Sequence, residues 1–475
     1  MKLRPFFLIC VTVLILSVTA FAISTLNCET CHNNIYSNWL MSAHAHTQAV
    51  VAGELSEERI GQTPHDVIYG EDAEDCVACH APTAILLKGG MSESQVLGYF
   101  FTTINGKFTK NTTVAHVAEW PNVSCITCHK VPNDHPIGKA TLALFNSQTG
   151  KYKLMKNIDE LCGQCHGNLH FPDTDHLTYN GWLLSKHAHT QAVVASELSE
   201  ERVGQTPHDV IYGEDAEDCV ACHAPTAILL KGGMSESQVL GYFFTTINGK
   251  FTKNTTVAHV AEWPNVSCIV CHDPHTVGKL SYFNSSTKKY ESMKSAVELC
   301  GQCHGNLRFP DTDHLSYNIW RGTGGIGVPD QKTMPGVTCV DCHMFVSNVD
   351  GSNSAMFRGH SWHIFVKEAD DRYTTSCMQC HASMNKIEAK TIIDKWRSSF
   401  LDLEAVAQRN VTTAMQAMKG VKNKTLRKAL KEAQYNLQYA ECDESGGFHN
   451  HKYLMALLND ANSKALMILS EVSHK

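Results

Sequence analysis

The sequence predicts a mainly α fold with extensive irregular loops, organised in its middle by covalently attached groups and closed at its C-terminal end by long helices. Three observations predict it. A CxxCH pentapeptide occurs nine times, a segment is duplicated at an offset of 143 residues, and a helical period free of CxxCH sets in after Cys380.

The pentapeptides carry Cys28 and Cys31, Cys76 and Cys79, Cys125 and Cys128, Cys162 and Cys165, Cys219 and Cys222, Cys268 and Cys271, Cys300 and Cys303, Cys339 and Cys342, and Cys377 and Cys380. They use eighteen of the twenty cysteines, leaving Cys10 and Cys442. Two thiols three positions apart reach the two vinyl groups of one porphyrin, and the imidazole that follows turns under the iron. A zinc ribbon pairs two CxxC motifs round one tetrahedral ion and needs no His after each. A thioredoxin-like motif sits once on a βαβ unit, and a disulfide framework has scattered spacings. With His following in all nine, the motifs specify nine c-type haems, with iron bound on the proximal side by His32, His80, His129, His166, His223, His272, His304, His343 and His381.

At 475 residues the chain has about fifty for each haem, too few for an ordinary side-chain core between them. The macrocycles must form much of the core, which fits 8% aromatic and 18% charged residues. A net charge of −7, made more negative by haem propionates, argues against a nucleic-acid partner.

In chain order, residues 1–22 read as an export signal: Lys2 and Arg4, an apolar run from Phe6 to Phe21, then Ala20-Phe21-Ala22 as a cleavage site. The alternative is an uncleaved anchor, the one membrane contact the sequence suggests. The protein is therefore expected outside the cytoplasmic membrane: periplasmic, cell-surface or extracellular. Residues 44–129 and 187–272 then align with differences only at Gly53/Ser196, Ile60/Val203 and Thr127/Val270. LCGQCHGN recurs at Leu161 and Leu299, and FPDTDHL at Phe171 and Phe309. This gives a first three-haem module over 23–161, its duplicate over 162–299, and a modified third over 300–384. In the third, a Gly-rich loop (Gly322, Gly324, Gly325, Gly327) replaces the CVACH segment.

Of 27 histidines, nine are proximal and eighteen remain to close sixth positions. The recurring candidates for distal iron ligands are His44 and His187, His65 and His208, His116 and His259, His135 and His275, and His176 and His314. His44 and His187 stand out, each ending a W-x-x-S-x-H pattern (Trp39, Ser42; Trp182, Ser185), whereas His46 and His189 are expected to point elsewhere. Paired histidines imply low potentials. Residues 385–475 form a helical region: Ile387, Ile392, Ile393, Trp396, Phe400, Leu403 and Val406 follow a helical period to about Lys419, a second helix is expected over Lys424–Glu441, and a third over Lys452–Val472 after Gly446-Gly447.

GVTCVDCHM at Gly336–Met344, Arg358-Gly359-His360, SCMQCH at Ser376–His381 and Gly447-Phe448-His449-Asn450 between long helices resemble the C-terminal half of the cytochrome c nitrite reductase and hydroxylamine oxidoreductase superfamily, over roughly 295–475. The resemblance implies His360 and His449 as further distal ligands, with His363 competing for the first role. It also implies closely stacked haems and homo-oligomer contacts through the long helices. Nitrite reductases of this family carry a CxxCK motif at the catalytic haem, and every motif here ends in His. The reading is therefore an exported nonahaem cytochrome c passing electrons between a donor and an external acceptor or partner enzyme, with no assigned catalytic residue. An enzyme acting on small nitrogen or sulfur compounds at one five-coordinate haem is the second reading, and a subunit of an extracellular cytochrome filament the third.

Overall fold

The structure is a computed structural model. It describes residues 28–47, 122–132, 140–190, 265–308, 312–347 and 351–473 with short gaps inside these stretches, together with 78–80, 82–83, 221–226 and the strands within 101–110 and 244–253. The expected signal segment, Cys76, Cys219, His65, His116, His135, His208 and His259 lie outside the described residues. The chain forms two compact units, one of described residues up to Thr174 with Ser267–Phe283, the other of Asp175–Val266 with Asn284–Lys475. Both combine helices with irregular loops and small sheets, the mainly α architecture that the sequence predicts.

In the first unit, helix Cys28–Leu40 bends at His32 (φ −119°, ψ 39°), where its pentapeptide ends. A 3-10 turn, Ala43–His46, follows. The single helical turn Cys125–Cys128 leads into strand His129–Lys130, the edge of a three-stranded antiparallel sheet completed by Thr141–Asn146 and Lys151–Leu154. His129 stands opposite Leu142 in that register, and the Tyr152 hydroxyl donates to the Ile126 carbonyl at 2.7 Å, tying sheet to motif. Helix Ile158–Gly163, which carries Cys162, is started by Asn157, whose side chain accepts from the Glu160 N–H. Strands Phe101–Ile104 and Lys107–Lys110 pair antiparallel across Asn105-Gly106, the dipeptide a two-residue hairpin favours.

The second unit repeats the helix, the 3-10 turn and the hairpin and adds a side-chain core. Helix Thr178–Leu184 and turn Lys186–His189 bury Tyr179, Trp182 and Ala188. The tail has three helices, Lys386–Ala417, Lys424–Glu441 and His451–Ser473, as the period predicts. Asn385 and Glu388 close a capping box on the first, and Asn423 caps the second. Ala407, Val411 and Ala414 pack with Ala433, Leu437 and Ala440 and with Leu454, Leu457, Leu458, Ala461, Ala465 and Ile468. Each fully buried leucine contributes about 1.5–3 kcal/mol.

The Gly-rich loop docks against this bundle. The Gly325 N–H donates to the Tyr453 hydroxyl (2.7 Å), Asn436 both accepts from Ile326 N–H (2.8 Å) and donates to its carbonyl (2.9 Å), and Tyr439 donates to Thr323 (2.8 Å). At Gly322 the backbone is left-handed (φ 67°), and a Cβ there would lie 1.9 Å from the Gln331 carbonyl oxygen, so only glycine fits. None of the described helices is long and apolar enough to cross a membrane.

Candidate haem-binding sites

Five of the described pentapeptides close in the same way. The backbone N–H of the closing histidine donates to the carbonyl of the first cysteine: His166 to Cys162 (2.8 Å), His272 to Cys268 (3.0 Å), His304 to Cys300 (2.9 Å), His381 to Cys377 (2.8 Å), and likewise His129 to Cys125. One such turn places the two Cβ atoms three apart on one side and swings the imidazole off its end. None of the described cysteines is disulfide-bonded. Among the described residues, no three His, Cys, Asp or Glu side chains converge as a bare metal ion would require.

First cysteines meet in a repeating pattern. Cys28 lies beside Cys125, Cys162 beside Cys268, and Cys300 beside Cys339. Cys339 thus meets Cys300 as Cys125 meets Cys28 and as Cys268 meets Cys162. Burial pushes the Cys271 thiol up to about 11, and with the neighbouring Cys162 pushes Cys128 up to about 12.

The imidazoles face each other in pairs. Ring centroids are 6.2 Å apart in His44–His166, 6.4 Å in His129–His275, 6.1 Å in His187–His304, 5.8 Å in His223–His314 and 6.1 Å in His343–His449. A metal–imidazole bond is about 2.0–2.1 Å, and a ring centre lies about 1.1 Å behind its nitrogen, so two imidazoles trans across one iron have centroids about 6.3 Å apart. Every pair joins a pentapeptide histidine to a distal candidate, and the residues fit a haem iron with both axial positions filled.

The sequence positions these ligands by identifiable bonds. The Trp39 indole N–H donates to the Val123 carbonyl at 2.9 Å and Trp182 does the same to Val266. The Ser185 hydroxyl donates to the Trp182 carbonyl at 2.6 Å, closing the turn that presents His187. Thr47 donates to the His80 carbonyl (2.6 Å) and Thr190 to that of His223 (2.7 Å), so the same turn also fixes the middle motif. His46 and His189 are bonded to the carbonyls of Leu40 (3.0 Å) and Leu183 (2.9 Å), away from the paired rings.

Electrostatics favour neutral rings, the form that binds a metal. Burial, with His304, His343, His360 and His223 close by, pulls His187 down to about 3. Burial, then His275, lowers His44. Desolvation lowers His343 as well, against the bond its Nδ1 makes to the Trp362 carbonyl at 3.2 Å. Burial raises the Asp159 carboxyl to about 6, although its Oδ1 accepts from the Cys268 N–H at 2.9 Å. For Asp443, burial acts upward, but the hydrogen bonds from His449, Ser445 and Gly447 outweigh it and hold the carboxyl below its usual range.

Of the remaining candidates, His176 accepts from the Arg358 guanidinium at 3.4 Å, and His360 donates through Nδ1 to the Arg358 carbonyl at 2.8 Å while its ring packs edge-on against Trp362. Trp362 also packs edge-on against His187, with centroids 4.6 Å apart, and its φ is +52°, rare for so bulky a residue. Burial, then Lys186, lowers His363. Sequence reasoning missed which imidazole faces which, and it missed Asp443, Asp159 and Trp362 altogether.

Residues 313–473 match the family model of cytochrome c552, and residues 27–98 and 161–240 that of cytochrome c554 and c-prime. Among solved structures, the outer cell wall cytochrome OcwA is similar at 17% identity over 92% of this chain and 98% of its own, with a TM-score of 0.46. The undecahaem cytochrome from the S-layer of Carboxydothermus ferrireducens is similar at 16% identity, over 78% of this chain and 53% of its own, with a TM-score of 0.37. Cytochrome c nitrite reductase from Desulfovibrio desulfuricans shares 17% identity over 54% of this chain and 65% of its own, with a TM-score of 0.33. No curated relative matches the chain.

Proposed function

We infer that this chain, a multihaem c-type cytochrome related to the nitrite reductase family, is an exported nonahaem electron carrier. It holds a haem on each CxxCH motif and passes electrons through the array between a donor and a redox partner or extracellular acceptor. Export is supported by the signal-like Met1–Ala22 and by the haem chemistry, since such motifs are loaded outside the cytoplasmic membrane.

One observation carries the reading: the five facing imidazole pairs at 5.8–6.4 Å. A haem with two imidazoles on its iron has no open position for a substrate, so its chemistry is confined to gaining and losing an electron. Covalent anchoring, axial ligation and burial are what the protein supplies, and the iron does the redox work. Each W-x-x-S-x-H histidine serves the first motif of the following module, His44 facing His166 and His187 facing His304. Consecutive modules are thereby joined through iron. Where the third module lacks such a histidine, the tail supplies His449 to His343.

The test is ferric-state electron paramagnetic resonance on the purified holoprotein, with optical spectra of the reduced form before and after carbon monoxide. The expected result is low-spin iron that binds no gas. The 8° angle between the His129 and His275 rings and the 64° between His187 and His304 predict a rhombic signal from the first and a strongly anisotropic one from the second. A gas-binding, high-spin haem in one full equivalent would overturn the purely electron-carrying role in favour of an enzyme.

A further inference from the structure

We propose that Asp443 is a positioning residue for the site of His343 and His449, its buried carboxylate orienting the His449 imidazole and lowering the reduction potential of the haem on Cys339 and Cys342. The inference rests on the haem assignment above and goes beyond it to one residue that touches neither iron nor porphyrin.

Three observations carry it. His449 Nδ1 lies 2.6 Å from Asp443 Oδ1, and the carboxylate has no exposed surface, against 24% for the histidine. Among the described residues, the other distal candidates with an acid close by, His275 and His314, stand 3.6 Å from Asp273 and Asp313, beyond a short hydrogen bond, and those carboxylates are 13% and 84% exposed. Second, Asp443 is itself held. Its Oδ2 accepts from the Ser445 hydroxyl at 2.6 Å and from the Gly447 N–H at 2.9 Å, which leaves Oδ1 for the imidazole. Ser445 Oγ in turn accepts from the N–H groups of Phe448 (2.7 Å) and His449 (2.9 Å), and Gly447 (φ +98°) passes so near Phe400 that a Cβ would meet it at 2.5 Å. Asp443, Ser445, Gly447 and Phe448 are thus tied into a cradle that ends on His449. Third, the facing imidazole is tied in the same sense, His343 Nδ1 donating to the Trp362 carbonyl. With both Nδ1 atoms engaged as donors, both Nε2 atoms are left to face each other across the 6.1 Å pair.

The consequence follows from charge. A carboxylate accepting the outer N–H of an axial histidine raises the basicity of the ligating nitrogen and fixes its ring. A more basic, partly anionic ligand stabilises ferric over ferrous iron, so this haem gives up its electron more readily. A backbone carbonyl, as on His343, does this less, because it carries no net charge.

The test uses the full-length holoprotein, with potentials read by spectroelectrochemistry and ligation by electron paramagnetic resonance. Asp443→Asn keeps the shape and removes the charge. It should raise the potential of one haem by about tenfold in its one-electron equilibrium constant, about 59 mV, with changed g-values for one low-spin signal. Asp443→Glu, which keeps the charge, and Ser445→Ala, which removes a cradle bond but leaves the carboxylate, should each stay within about threefold of the parent. Unchanged potentials in Asp443→Asn overturn the proposal, as does an equal shift in Asp443→Glu, which would exclude charge as the cause. If Asp443→Asn loads poorly, a parent-like potential in Asp443→Glu supports the proposal and a shifted one overturns it. His449→Ala separates this from the ligand assignment: it should convert one haem to high spin, and a wholly low-spin spectrum there would sink the assignment itself.

Discussion

Among the described residues between Cys28 and His381 the chain presents four imidazole pairs from turns scattered along the sequence, with a fifth joining His343 to His449 of the tail, beside the small cluster of Tyr179, Trp182 and Ala188. Between Lys386 and Ser473 it does the opposite, interleaving Leu454, Leu457, Leu458 and Ile468 with alanines of two neighbouring helices. The first kind of order depends on groups bound from outside, because two neutral imidazoles 6 Å apart attract each other very little. The second is carried by the side chains themselves. A protein built both ways has one region whose folding is metal binding and another whose folding is burial.

The largest expected effect breaks the molecule along that difference. If the chain is produced where haem is not attached, residues 28–381 should lose protection from hydrogen exchange while Lys386–Ala417, Lys424–Glu441 and His451–Ser473 keep it. Uniform loss along the chain would mean that the tail, too, depends on the haems. Next in size is a change on the tail side alone. Leu457 has no exposed surface and sits in the middle of its cluster, so Leu457→Ala should cost about 2–5 kcal/mol in denaturant unfolding followed by far-ultraviolet dichroism. The haem absorption and the low-spin spectrum of the folded holoprotein should not move. A changed Soret band in the folded state would show that the bundle shapes the haem sites beyond supplying His449.

The same contrast explains what was legible. A CxxCH turn is local: five residues contain the thiols, the imidazole and the bond that closes the turn, so the motif is legible from spacing alone. The tail helices are nearly as local, since their period and the caps Asn385 and Asn423 lie within a few residues of one another. His44 and His187 stood out as candidate ligands because Trp and Ser precede them at fixed distances. Their partners were not, because His166 and His304 lie more than a hundred residues further on. The duplication shows that the two sites are equivalent without saying what faces what. His449 came from a family resemblance. Asp443 had no signal, because an acid just past the end of a helix is ordinary until its carboxylate is seen buried against an imidazole. The Gly-rich loop was visible as a replacement, but its reason, docking against Asn436, Tyr439 and Tyr453, is a tertiary fact.

The smallest expected effect sharpens the comparison at the seam, where the last motif gives way to the first tail helix. Asn385 follows His381 by four residues and starts Lys386–Ala417: its Oδ1 accepts from the N–H groups of Ile387 (2.9 Å) and Glu388 (3.1 Å), and Glu388 reaches back to the Asn385 N–H (2.9 Å). Asn385→Ala removes an acceptor for two otherwise unpaired helix donors and should cost about 1 kcal/mol. Because the cap belongs to the tail's own local order, the loss should appear as faster hydrogen exchange in the first turn of that helix. It should leave the resonance signals of the haem region unchanged. If Asn385→Ala instead altered a haem signal, the cap would be part of how the last pentapeptide is held, and the boundary between the two kinds of order would lie inside the helix.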